Sequence, residues 1–595
     1  LDAKKRILKS GIKGKSVKEM KLVMRNSYSL IALMDNVYNI LMKKTSAFLS
    51  LFLILSLNFL AAQEIPQHRA EGKHDFRPLL QESEGHDFDV LHYRFDWTFD
   101  FASQSLQGKA VIRARSLIDT LESILLHLDD SMVVDRVRQN LGPAAFTHTD
   151  NQLEVFLDQI YLSGDEFEVQ ITYYGSPLAG LNFSHHEDQP IIWSLDEPMM
   201  ARNWMPCYDL PDDKATAELH ITVPQGMIAA SNGTLTDVIA NSDGTKTFVW
   251  QEAYPVSSYL LFVAATNYET FFDSYSSNTS TMEVHYYSYP ERLILAQEDF
   301  SITVPMIEFF SRTFGEYPFL EEKYGMAMIP ERTSMEHQTC TSFAASLVTG
   351  THEYDWLIAH ELAHQWWGDL ITPSDWADIW LNEGFATYSD ALWHEYIYGF
   401  GGLKSRMDRF KEIYFQYHEG TDHPIYDPPE GHLFCEEEYE KAAWVLHMLR
   451  FVVGDNNFFT ILRTYAQKFA YSNATTEDFR SVCERIYGAD LGWFFDQWIY
   501  GGGYPSYEFG WGYSGGNNIR VAVNQNQGSA LLFKMPIELQ FVFSSGTEIR
   551  VVWVDQERNV FEFTFAERPL DVLFDPDAWI FCTVENFTKK GKIER

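Results

Sequence analysis

His360-Glu361-Leu362-Ala363-His364 sets two imidazoles four positions apart, with a carboxylate beside the first. On an α-helix, positions i and i+4 share one face, so both rings can meet a single metal ion. Glu361 falls next to that face, suited to take a proton from metal-bound water rather than to bind the metal. Glu383 follows His364 after an 18-residue gap, among Trp380, Leu381 and Phe385 rather than in a charged stretch. A loop that returns it to the imidazoles makes it the third ligand. Two neutral histidines and one carboxylate leave a fourth position for water, the hydrolytic arrangement for Zn²⁺, with one ion expected per chain.

The elements that must position these groups are legible in the hydrophobic period. Trp356 to Trp367 suits a buried helix, and 379–388 a second helical stretch. Upstream, Tyr93, Phe95, Trp97 and Phe99 alternate with polar residues, as do Phe167, Val169, Ile171 and Tyr173. Such period-two patterns, broken by Asn232-Gly233 and Asp243-Gly244, predict a β-rich domain over 85–287. The period turns helical over 288–501. After Gly501-Gly502-Gly503 strands return, with Ile537, Leu539, Phe541 and Phe543 alternating, which predicts a small β-sandwich over 502–595. The expectation is a multidomain α+β chain, preceded by a polar linker over 63–84.

The spacing H-E-x-x-H-x(18)-E, with Trp380-Leu381-Asn382-Glu383-Gly384-Phe385-Ala386 around the second Glu, resembles the gluzincin zinc aminopeptidases. This is the first family of metallopeptidases, with the alanyl and leucyl aminopeptidases and leukotriene hydrolase among its members. Asp89-Val90-Leu91-His92-Tyr93 resembles the family's opening strand. Ala201 to Asp209, followed by Lys214-Ala215, resembles its A-R-x-x-F-P-C-x-D signature. The resemblance implies an N-terminal β-sheet saddle, a mainly helical thermolysin-like catalytic domain and the small sandwich. It also implies zinc-dependent hydrolysis of the N-terminal peptide bond of peptides by a metal-activated water, with zinc on His360, His364 and Glu383.

Further roles follow from the same likeness. Thr333-Ser334-Met335-Glu336-His337 resembles the family's G-A-M-E-N loop, which implies that Glu336, beside Met335, anchors the substrate ammonium. Glu197, in Leu195-Asp196-Glu197-Pro198, resembles the partner anchor. Tyr439, in Tyr439-Glu440-Lys441-Ala442, resembles the family tyrosine that donates a hydrogen bond to the tetrahedral oxyanion. Thr333, His337, Leu195 and Ala442 depart from the family's Gly, Asn, Gln and Gly. The β-branched Thr333 is expected to narrow the cleft or alter the approach to it. The large helical domain that many members carry after the sandwich is not expected before Arg595, which predicts a more open cleft.

The chain has 46 basic and 83 acidic residues, net −37, and 11 of the basic ones lie in the first 62 positions. So acidic a body repels phosphate backbones and excludes nucleic acid as a partner class. Met42-Lys43-Lys44, the apolar run Ala47–Leu60 and Ala61-Ala62 have the order of a secretory leader, which predicts a secreted or periplasmic protein with no membrane span after cleavage. Residues 1–41 are then expected to be an over-extended reading frame. Five cysteines, far apart and without a C-x-x-C pair, indicate no cysteine zinc site and leave room for one or two disulfides. Two other tasks share these residues: a bifunctional aminopeptidase and epoxide hydrolase, and a catalytically silent binding protein on the same fold. A thermolysin-like endopeptidase is opposed by Glu336.

Overall fold

The computed structural model describes residues 87–586, apart from 141, 278, 419, 421, 529 and 530. The expected upstream extension (1–41), leader (42–62) and linker (63–84) lie outside the described residues.

Alternation explains the first sheets. Strand Phe88–Asp100 turns Tyr93, Phe95, Trp97 and Phe99 to one buried face. It lies inside an eight-stranded sheet, antiparallel to Ser105–Ser116 (Phe95 opposite Ala110) and parallel to Lys214–Pro224 (Phe95 opposite Leu219). A one-residue slip would turn all four aromatic rings toward solvent, so the burial pattern fixes the register. Trp97 packs on Trp204 with ring centroids 4.6 Å apart, which ties this sheet to the segment 201–209. There Arg202 Nε donates to Asp209 Oδ2 at 2.9 Å, and the Trp204 indole N–H donates to Asp196 Oδ1 at 2.9 Å, all buried. These contacts brace the turn that follows strand Gln189–Ser194 and presents Glu197.

Strands Glu269–Ser276 and Thr281–Ser288 join Lys323–Ile329 and Thr341–Ala344 in one four-stranded sheet. Thr281–Ser288 runs parallel to Lys323–Ile329, His285 opposite Gly325, across a crossover that contains helices α1 (Leu293–Asp299) and α2 (Thr303–Phe314). A division after 287, as the change of period suggested, would cut this sheet. Alternation marks a strand but not the sheet it joins, so we place the division near residue 268.

The helical part continues with α3 (Asp355–Ala363), α4 (Trp380–Tyr398), α5 (Phe400–Tyr417), a π-helical turn at Glu437–Lys441, α6 (Ala442–Val453), α7 (Asp455–Lys468), α8 (Thr476–Tyr487) and α9 (Gly492–Trp498). Helix α3 and the first four turns of α4 are buried almost all round, which explains their lack of a polar face. The closing strands form a four-stranded and a three-stranded sheet. Their inner faces meet through Phe541 on Phe563 (4.9 Å) and Phe509 on Phe574 (5.3 Å), as a sandwich requires. Trp579 stacks on His447 of α6 at 4.6 Å and seats the sandwich on the helices. All five thiols are unbridged. Among the described residues no helix is long and apolar enough to cross a membrane.

Candidate active site

His360 sits in the last turn of α3, and His364 caps that helix one turn later. The chain then turns through Gly368, whose φ of +128° suits a residue without a side chain, and returns to α4 with Glu383 in its first turn. The turn also aims the Trp367 carbonyl at His364 Nδ1, 2.8 Å away. A carbonyl only accepts, so Nδ1 carries the proton and Nε2 keeps its lone pair. Thr387, one turn after Glu383 on the same face of α4, lies 3.5 Å from His360 Nδ1.

Three ligand atoms converge. His360 Nε2 and His364 Nε2 are 3.1 Å apart, and Glu383 Oε2 lies 3.4 Å from the first and 3.5 Å from the second. Ligand bonds of ~2.0–2.1 Å in a tetrahedron give edges of ~3.3 Å, so the three atoms stand where zinc ligands stand. All three residues are buried, and lone pairs so close repel one another without a cation between them. Burial pushes Glu383 up, but His364 and His360 outweigh it and hold the carboxyl well below the usual range. Burial opposes a proton on His364, yet Glu336 and Glu383 together raise its affinity well above the ordinary value. The donor set fits a zinc ion.

Beside this triad Glu361 is buried, and desolvation raises its proton affinity well above the carboxylate norm, with Glu336 and Glu383 adding to the rise. Tyr439 lies on the π-helical turn with its ring 6.2 Å from that of His360 and nearly parallel to it. Such turns insert where a helix must re-aim one side chain. The turn approaches α4 closely because position 384 has no side chain: a Cβ there would lie 2.5 Å from Ala442 Cβ.

Glu197 and Glu336 complete the cluster. One carboxylate oxygen from each, with one from Glu383, lies within 4.8 Å of the others. Glu197 Oε1 and Glu336 Oε1 are both buried without a hydrogen-bond partner. Burial raises both carboxyls, and each feels the repulsion of its acidic neighbours. Met335 pairs with Ser342 through two backbone hydrogen bonds of 2.9 Å, which holds Glu336 in place. Gln365 Nε2 adds a 3.4 Å contact to the Glu336 carbonyl. Thr333 is half-buried. His337 is fully buried against Phe262, centroids 4.4 Å apart, and burial lowers its pKa to about 3.

Some positioning groups had no sequence signal of their own. Lys214 Nζ donates to the carbonyls of Asp369 (2.7 Å) and Leu370 (3.2 Å), joining the N-terminal sheet to the turn after His364. The Asp369 carboxylate is buried with neither oxygen hydrogen-bonded, and desolvation raises it well above its norm. Lys214 belongs to the 201–215 signature, the one available clue, whereas Asp369, Thr387 and the Trp367 carbonyl sit at unremarkable spacings.

Two family models match this chain: the peptidase family M1 domain over residues 298–498 and the peptidase M1 N-terminal domain over 90–260. The chain is similar to a leucyl aminopeptidase of Saccharolobus solfataricus, 28% identical over 427 residues, 67% of this chain and 52% of that protein. It is also similar to aminopeptidase B of Mus musculus, 25% identical over 507 residues, 76% of this chain and 74% of that one. Among solved structures it resembles an M1 zinc metallopeptidase from Deinococcus radiodurans, with a TM-score of 0.61 and 26% identity, covering 70% of this chain and 94% of that one. The chain thus spans about half the length of the leucyl aminopeptidase.

Proposed function

The chain belongs to peptidase family M1, and from that footing we propose that it is a zinc aminopeptidase that releases single residues from the N-termini of peptides. The observation that carries this reading is the pair of buried, unpartnered oxygens on Glu197 and Glu336 beside the His360, His364 and Glu383 triad. Two buried carboxylate oxygens without a hydrogen bond are costly, and an ammonium group with three N–H donors relieves both at once.

His360, His364 and Glu383 would hold one zinc ion. Bound there, zinc supplies Lewis acidity: it acidifies water and polarises a carbonyl. Glu361, whose buried carboxylate binds protons tightly, accepts the proton released when water attacks and delivers it to the departing amine. The Tyr439 hydroxyl donates a hydrogen bond where negative charge develops on the carbonyl oxygen, a contribution of about 3 kcal/mol. Glu336 and Glu197 bind the free N-terminus and so limit cleavage to the first peptide bond. The signal-like segment over 42–62 supports an extracytoplasmic site of action.

The test is release of amino acid from a panel of aminoacyl chromogenic amides, with and without a zinc chelator, run beside N-acetylated peptides. Chelator-sensitive release from free N-termini only is the expected result. Equal cleavage of blocked peptides would replace the reading with an endopeptidase. No release by metal-loaded protein would leave a binding protein.

A further inference from the structure

The segment between α5 and the π-helical turn holds a second group of ligand-type side chains, in the order H-x(8)-H-x(2)-C-x-E: His423, His432, Cys435 and Glu437. The chain doubles back at Pro428-Pro429-Glu430-Gly431, where Gly431 has φ +75°, and this lays His432 against His423 with ring centroids 5.1 Å apart, edge to face. One ligand atom from each of His423, His432 and Cys435 lies within 4.8 Å of the other two. The platform beneath is firm: Ile425 and Tyr426 N–H both donate to the Ile499 carbonyl, and Gly502 has no Cβ to strike the Asp422 carbonyl oxygen.

Two details separate this group from a chance meeting of polar residues. His423 Nδ1 lies 2.8 Å from the Pro424 carbonyl, so it carries the proton and Nε2 keeps a lone pair. That Nε2 is buried with no hydrogen bond, in a residue only 8% exposed, and the Glu437 Oε2 atom stands 3.4 Å from it. A lone pair facing a carboxylate oxygen in a buried place is repulsive unless a cation lies between them. The distances also have the size of metal-site edges. Bonds of ~2.3 Å to sulfur and ~2.05 Å to nitrogen or oxygen in a tetrahedron give a sulfur–nitrogen edge of ~3.5 Å and a nitrogen–oxygen edge of ~3.4 Å. Cys435 Sγ lies 3.5 Å from His432 Nδ1, and the His423 to Glu437 separation is 3.4 Å.

We propose that His423, His432 and Cys435 form a second zinc-type metal site, separate from His360, His364 and Glu383, with Glu437 Oε2 beside its His423 edge. Thiolate, imidazole and carboxylate together select zinc over the harder divalent cations. A thiolate and a carboxylate also balance the two charges of the ion. His432 and Cys435 are only partly buried, which leaves an entry path. Cys435 lies two residues before the π-helical turn that carries Tyr439, so the metal would tether this turn from its N-terminal side. His418 Nδ1, 3.2 Å from the other Glu437 oxygen, holds that carboxylate from behind.

The full chain, loaded with Co²⁺ in place of zinc and freed of excess metal, tests this without reference to peptidase activity. Two cobalt ions per chain and a thiolate-to-cobalt charge-transfer band in the near ultraviolet are expected. The His360, His364 and Glu383 site has no sulfur, and the other four thiols are buried elsewhere, so the band reports Cys435 alone. Cys435→Ser should abolish the band and release one of the two ions. His432→Ala, at a partly buried position, should release the same ion and serves if the first variant does not fold. A wild-type chain with one cobalt and no band, or a band that survives Cys435→Ser, would overturn the proposal and leave the aminopeptidase reading standing.

Discussion

Gly384 sits one residue after Glu383 and faces the turn that carries Tyr439. A Cβ at this position would lie 2.5 Å from Ala442 Cβ and 3.4 Å from the Glu438 carbonyl oxygen. Carbon atoms in ordinary contact stand about 3.5–4.0 Å apart, so Gly384→Ala must drive α4 and the π-helical turn apart by roughly 1 Å. Overpacking of this kind costs about 1–3 kcal/mol, and the better helix propensity of alanine offsets about 1 kcal/mol of it. The net loss of stability is then only about 1 kcal/mol. The effect on turnover is larger, because the contact separates one proposed zinc ligand from the proposed oxyanion donor. A misplacement of ~1 Å between such groups costs on the order of 100-fold in kcat. Steady-state kinetics on an aminoacyl chromogenic amide, with metal content and thermal unfolding measured on the same sample, separates the two effects. Ala442→Gly removes the opposing methyl, so the double variant Gly384→Ala/Ala442→Gly should recover most of the lost kcat. Wild-type turnover in Gly384→Ala, or a double variant no better than the single one, would refute the claim that this contact sets the spacing of the site.

Three other outcomes follow from the same geometry. Glu361→Gln should keep its zinc and lose about 10²–10⁴-fold in kcat, read by metal analysis and single-turnover kinetics; loss of the metal instead would make Glu361 a ligand. Glu336→Gln removes one of the two carboxylates proposed to hold the ammonium, a charge-assisted contact of about 2–3 kcal/mol, so kcat/KM on free N-termini should fall about 30- to 150-fold, and N-acetylated peptides should lose their disadvantage. Burial lowers the pKa of His337 to about 3, so between pH 6.5 and 3 the unfolded chain binds the proton that the folded chain refuses. The stability held through His337 is therefore complete above pH 6.5 and falls as pH drops toward 3. His337→Leu should flatten the acid limb of thermal stability against pH, and an unchanged limb would place the acid sensitivity in other groups.

The convergence of His360, His364 and Glu383 was legible because its geometry is local: i and i+4 on one helix, then a carboxylate in an apolar stretch. The strands were legible because a sheet with one buried face needs period-two alternation, as Tyr93 to Phe99 display. What escaped depends on contacts between segments distant in the chain. Nothing in Thr281–Ser288 says that its partner is Lys323–Ile329, and nothing at Gly384 says that Ala442 lies opposite. The cysteines illustrate the same limit. The absence of a C-x-x-C pair argued against a thiol metal site, yet a single Cys435 meets two imidazoles once Gly431 reverses the chain.

Burial adds a term that spacing never reveals. Glu197, Glu336, Glu361, Asp369 and Glu383 form a chain of electrostatic neighbours, and four of them are raised in proton affinity, first by desolvation. Only Glu383 is lowered, because His360 and His364 face it. Burying a carboxylate costs several kcal/mol, so a fold that collects five of them needs cations or shared protons to persist. Asp369 gains some balance from Lys214. Among the described residues, no basic side chain stands within ion-pair distance of the unpartnered oxygens of Glu197 and Glu336 except the His364 ring, 3.9 Å from Glu336 Oε1. The ring is already committed through Nδ1 to the Trp367 carbonyl. On the proposed reading the cation for this pair arrives with the substrate, since the N-terminus of a peptide brings three N–H donors on one charged nitrogen.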